Sequence, residues 1–181
     1  MKNKDLIQVL CYTDNPLDLY RITNEYELMD SIEHIERYFR SSREYKGWVQ
    51  WKKYKHEQTI CKALNIDTKD YDLLRIEQDH YPISLWQIVF IIGNKLLSEL
   101  KEDEYLTTFD IVSEVLKEHL LENNIGSVSL LLSYHELRHE GLFIPELKSI
   151  NGNYKTFITK YKEYIPEHIM KQINSNLEQS T

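Results

Sequence analysis

The run from Ile83 to Leu100 constrains the fold more than any other stretch. Leu85, Ile88, Val89, Ile92, Leu96 and Leu97 recur at helical spacing and form a broad apolar face. A helix this apolar has to be buried against other elements. Gly93-Asn94 within it allows close packing. No apolar run in the chain reaches the roughly 18 residues of a membrane span. The sequence therefore has to supply partner helices on either side.

It does so on both. Leu28, Ile32, Ile35 and Phe39 fall on one face of a helix over residues 26–40. After Ile83–Leu100, Thr107 or Thr108 caps a further helix with Phe109, Val112, Val115, Leu116, His119 and Leu120 on its apolar side. His119 on that face is expected to pack rather than to ligate. Ser41 or Ser42 caps a helix running to about Ala63, with Tyr45, Trp48, Trp51 and Tyr54 at three-residue spacing. Two short helices, roughly Tyr154–Tyr161 and Pro166–Asn174, close the chain, followed by a polar tail. Asn15-Pro16 marks an early turn.

Two short apolar runs flank the central helices. Leu74-Arg75-Ile76 reads as a strand that delivers Glu77, Gln78, Asp79 and His80 before Pro82 ends it. Val128–Leu132 reads as a second strand, followed from about Ser133 by a helix bearing His135 and His139. The fold class expected is α+β and mostly helical, with a long helical insertion between two strands.

Composition narrows the partners. The formal charge of −7 argues against a general nucleic-acid binder, since phosphate contacts need Lys and Arg. The charge is uneven, however. Between residues 37 and 55, Arg37, Arg40, Arg43, Lys46, Lys52, Lys53 and Lys55 stand against one acid, Glu44. Interleaved with the aromatics of the same helix, they form a candidate DNA-backbone surface. The competing reading has the aromatics in the core and the lysines merely solvated. The two cysteines, Cys11 and Cys61, are too far apart for a zinc ribbon and give no disulfide framework, so both are expected as buried thiols. The first residues are too polar for a signal peptide, which points to the cytoplasm. His34 and His56 sit among charges and carry no site expectation.

The chemistry concentrates at the two junctions. Residues four apart on a helix share a face, so His135 and His139 can aim two imidazoles at one ion. Asp79 can add a carboxylate oxygen. Two nitrogens and one oxygen suit Zn²⁺, Ni²⁺ or Mn²⁺ better than a pure Mg²⁺ site. Neighbours on a strand point to opposite faces, so His80 can stay off the metal. Its near-neutral pKa suits a general base.

Asp79-His80, a following strand, and Ser133-x-His135-x-x-x-His139 together resemble the HNH, or ββα-metal, endonucleases, most closely those encoded by phages. The segments Ser42–Trp48, His80–Trp86, Gly126–His139, Gly141–Pro145 and Gly152–Phe157 carry the likeness, which spans about residues 41–164. It departs from the family in three ways. Asn123 or Asn124 would have to replace the asparagine that orients the base, paired zinc-ligating cysteines are missing, and the insertion is long.

The resemblance implies a metal-dependent endonuclease acting on DNA in the cytoplasm of an infected host. Asp79, His135 and His139 would bind Mg, Mn, Ni or Zn, with His80 as the base. The alternative is a degenerate HNH-fold phage protein that binds DNA or a host protein. The implied organisation is an N-terminal helical segment (1–40), an HNH-like domain (41–165, insertion 83–124) and a C-terminal helix and tail (166–181). Oligomeric state stays open.

Overall fold

A computed structural model describes residues 20–55, 59–71 and 74–180, with the side chains of 53–55 and 70 left out. The expected turn at Asn15-Pro16, Cys11 and His56 lie outside the described residues. The fold is α+β and mostly helical, with short antiparallel sheets. The described residues fall into two compact units, those within 1–48 and 85–122, and those within 49–84 and 123–181.

The first unit is built around the apolar run. Helix α1 (Glu25–Ser41) buries Leu28, Ile32, Ile35 and Phe39. Asn24 caps it by accepting from the Glu27 amide at 3.0 Å. Helix α2 (Arg43–Lys55) begins where the Ser42 hydroxyl accepts from the Tyr45 amide. Helix α3 (Leu85–Ser98) is buried continuously from Gln87 to Gly93. A Cβ on Gly93 would lie 2.6 Å from a Leu28 methyl, so the missing side chain lets α1 press against α3. Helix α4 (Thr108–Leu120) starts in a capping box between Thr107 and Asp110. His119 is buried among the rings of Phe39, Tyr45 and Trp48, with centroids 4.8–5.9 Å away. The packing role expected of His119 holds. Strands β1 (Arg21–Ile22) and β5 (Leu106–Thr107) pair at the margin of this unit.

The second unit carries the longer strands. Strand β4 (Ile76–His80) pairs antiparallel with β6 (Ser127–Leu131), in the register Ile76↔Leu131 through Asp79↔Val128 to His80↔Ser127. A smaller hairpin pairs β2 (Ile60–Cys61) with β3 (Ile66–Asp67), and the Lys62 amide donates to the Ser129 carbonyl on β6. Cys61, Ile76 and Leu131 form one buried cluster, with Tyr81, Val128 and Leu130 forming another. Helix α5 (Leu132–His139) leaves β6 without a break, and α6 (Tyr154–Lys160) and α7 (Glu167–Gln179) follow.

Several boundaries differ from the sequence reading, each for a local reason. The first strand starts at Ile76 and includes Asp79 and His80, because partners on β6 extend to Ser127. The helix expected to reach Ala63 gives way to the β2–β3 hairpin, since Ile60 and Cys61 find strand partners. The polar tail expected after Asn174 is instead helical to Gln179, with Ser180 buried against Tyr81.

Two glycines give contrasting expectations. A Cβ on Gly126 would lie 2.2 Å from the Tyr81 carbonyl oxygen and 3.2 Å from both Ile150 and Tyr154. Gly47, inside α2, has nothing within 4 Å. In urea denaturation, Gly126→Ala should lose roughly 2 kcal/mol or more by overpacking. Gly47→Ala should gain roughly 0.5–1 kcal/mol by helix propensity. Glu36 on α1 offers a pH test. Burial raises its pKa, with Arg40 opposing and Glu33 adding to the rise. A raised carboxyl pKa makes the folded state hold its proton longer, so stability falls as pH climbs through the folded value. Glu36→Gln should raise the melting midpoint at neutral pH and leave it unchanged below about pH 4.

Candidate metal centre

The site lies in the second unit, where β4 faces α5. Asp79 is in the fourth position of β4, opposite Val128, with its side chain 5% exposed. Helix α5 has no side-chain N-cap; its first amide, Leu132, donates to the Arg75 carbonyl beside β4. At the other end Gly141 takes φ 73°, and the Leu142 amide returns to the Leu137 carbonyl at 2.8 Å. That six-to-one bond with a left-handed glycine is a Schellman stop. One helix of eight residues is thus fixed at both ends, presenting His135, Arg138 and His139 toward Asp79.

The distances are short. The Nε2 atoms of His135 and His139 are 3.1 Å apart. They lie 3.4 and 4.0 Å from Asp79 Oδ1. All three ligand atoms fall within 4.8 Å of one another. A tetrahedral ion with bonds of about 2.0–2.2 Å spaces its ligands by roughly 3.3–3.6 Å, so this triangle has a suitable size. Two imidazole nitrogens at 3.1 Å with both lone pairs facing would repel. Either one carries a hydrogen and donates to the other, or a cation sits between them. The donor set fits a divalent metal by both size and chemistry. His135 is about a quarter exposed and His139 more than half, so an ion can enter from solvent.

Arg138 is the residue that the sequence reading missed. Its guanidinium pairs with the Asp79 carboxylate through one hydrogen bond and one further ion-pair contact. Nη2 donates to Oδ1 at 2.9 Å, and Nε lies against Oδ2. Nη2 is also 3.4 Å from His139 Nε2. The guanidinium carbon is 5.9 Å from the Tyr81 ring. The Tyr81 hydroxyl donates to the Asn176 carbonyl at 2.6 Å and meets Ser180 Oγ at 2.5 Å. Burial raises that phenol's pKa. The spacing His135-x-x-Arg138 was the available signal, since residues three apart share a helix face as those four apart do.

The other expected site residues are placed differently. His80 ends β4 opposite Ser127, 4% exposed, and is not part of the cluster of ligand atoms. Arg37, Arg40, Arg43 and Lys46 are exposed in the first unit. Lys52 belongs to the second unit and is 6% exposed, with burial lowering its pKa. Of the side chains of Lys53 and Lys55 nothing is described.

The model of the bacteriophage G278-like virion protein family matches residues 2–181. The chain belongs to that family. No significant match is found among curated proteins or among solved structures. The endonuclease reading is therefore corrected. A match over nearly the whole chain to a virion-protein family overturns the HNH resemblance, DNA hydrolysis and His80 as its general base. The degenerate-HNH alternative goes with it. The resemblance rested on short segments with variable gaps, and an acidic residue near an HxxxH pair arises wherever a strand and a helix build any histidine cluster. What the correction leaves standing is the cluster itself. Among the described residues no helix is long and apolar enough to cross a membrane.

The pair with Arg138 makes Asp79 costly to remove. Asp79→Ala strands a largely buried guanidinium and should lose about 3 kcal/mol in denaturant titrations. His139→Ala, at an exposed position, should fall within about 0.5 kcal/mol of wild type in metal-free buffer.

Proposed function

We propose that the protein is a structural component of the phage particle, with a divalent transition-metal ion held by Asp79, His135 and His139 as a staple between β4 and α5. The observation that supports the reading is the convergence of three ligand atoms within 4.8 Å, from residues 56 and 60 positions apart along the chain. An ion there ties a strand to a helix whose own buried surface is small, since α5 has no fully buried residue. Binding to the folded state alone stabilises by mass action, by about 4 kcal/mol at a thousandfold excess over Kd. The two imidazoles favour Zn²⁺ or Ni²⁺ among the ions considered, because Mg²⁺ prefers oxygen ligands and holds its water. A staple of this kind suits a protein that has to persist in a particle outside a cell. The virion family supports a particle location over a purely cytoplasmic one.

Thermal melts with and without Zn²⁺ or Ni²⁺ test the reading. The wild type should melt higher with either ion, and the His135→Ala/His139→Ala double variant should show no shift. Equal shifts in both proteins would remove the site.

A further inference from the structure

The candidate ligand Asp79 is already held by another cation. Arg138 Nη2 donates to Oδ1, the oxygen closest to the histidines, and Nε lies against Oδ2 without a hydrogen bond. The same Nη2 lies 3.4 Å from His139 Nε2, a second ligand atom. One guanidinium nitrogen therefore lies against two of the three atoms that an ion would need. Two cations cannot share this carboxylate cheaply at such range, because their repulsion is strong where side chains are largely out of water. Asp79 and Arg138 are 5% and 15% exposed at their side chains.

We infer that Arg138 is the gate of the metal site: it holds Asp79 while no ion is bound, and it has to release at least Oδ1 before one binds. The inference rests on the metal reading above and adds its regulation. A guanidinium is a fitting placeholder. Its charge, which cannot be lost, balances a buried carboxylate, and its Nη2 donates to one of the oxygens. It also has somewhere to stay. The guanidinium carbon already lies 5.9 Å from the Tyr81 ring, and that ring is fixed by Asn176 and Ser180 on α7 and just beyond it. A small rotation of the side chain can trade the carboxylate for the ring while keeping a favourable cation–π contact.

The gate has a selective consequence. An ion that binds mainly through oxygen would have to displace the arginine with little help from the histidines. An ion that binds imidazole strongly gains two nitrogen bonds toward the same displacement. The pair therefore sets a threshold that favours nitrogen-seeking metals.

The opposite role for Arg138 is a support that orients Asp79 for the ion, as outer partners of metal ligands often do. The two roles differ in sign. A support strengthens binding, so its loss weakens affinity. A gate competes with binding, so its loss strengthens affinity.

The experiment is isothermal titration of Zn²⁺ into the full chain as wild type, Arg138→Gln, Arg138→Lys and the His135→Ala/His139→Ala double variant. Metal-free melts of each in chelator accompany it. Arg138→Gln should bind Zn²⁺ at least tenfold more tightly than wild type. It should also melt lower in chelator and recover the difference when zinc is added. Arg138→Lys, which keeps the charge without the fork, should fall between the two, and it remains informative if the glutamine variant does not fold. Unchanged or weaker affinity in both Arg138 variants, with zinc still lost in the histidine double variant, would overturn the gate and leave the site. Zinc binding that survives the double variant, or no zinc binding by any of the proteins, would overturn the site and the gate with it.

Discussion

The antiparallel pairing of Ile76–His80 with Ser127–Leu131 sets where every residue of the candidate centre stands. Its register puts Asp79 opposite Val128. Leu131 then passes straight into a helix, so the first turns of α5 start beside the strand that carries Asp79. A slip of one residue would turn Asp79 to the other face and bring Gln78 or His80 in its place. Several contacts guard against the slip. Gln78 Nε2 donates to Ser129 Oγ at 2.9 Å, and Val128 and Leu130 are fully buried beside Tyr81. Gly126, just before β6, admits the Tyr81 backbone where no side chain would fit.

The two units use the sequence in different ways. In the first, an apolar helix that cannot stand alone is covered by α1 and α4, each of which starts in a side-chain cap. In the second, the strands are short and the helices modest, and polar pairs fix the geometry: Asp79 with Arg138, Tyr81 with Asn176 and Ser180, and Asn176 Nδ2 with the Pro82 carbonyl at 2.9 Å. Helix α5 has no fully buried residue, so the proposed metal staple would add to what holds it beside β4.

Much of this was legible in the sequence. Periodicity located α1, α3 and α4 to within a few residues, because their buried faces repeat every three or four positions. The caps at Ser42 and Thr107 were readable from residue type. His135, His139 and Asp79 could be grouped because helical spacing and a strand end are local signals. Other parts were out of reach. The β2–β3 hairpin depends on pairs of only two residues, too few to make a pattern. Ser180 reads as tail, and only the fold brings it to a tyrosine almost a hundred positions earlier. The spacing puts Arg138 on the face of His135, but its partner, Asp79, is set by tertiary contact. The functional reading failed for a related reason. Short motifs identified a plausible arrangement of ligands, but the arrangement serves many roles, and the match over the whole chain points to a virion protein rather than a nuclease.

The central claim is that Asp79, His135 and His139 hold one divalent metal ion. X-ray absorption at the zinc edge, on the stoichiometrically loaded protein, tests it most directly. The account predicts two imidazole nitrogens and at least one oxygen at about 2.0–2.2 Å, with the imidazole signature lost in His135→Ala. A spectrum of hydrated zinc with no imidazole scattering, or one unchanged by that substitution, would contradict it.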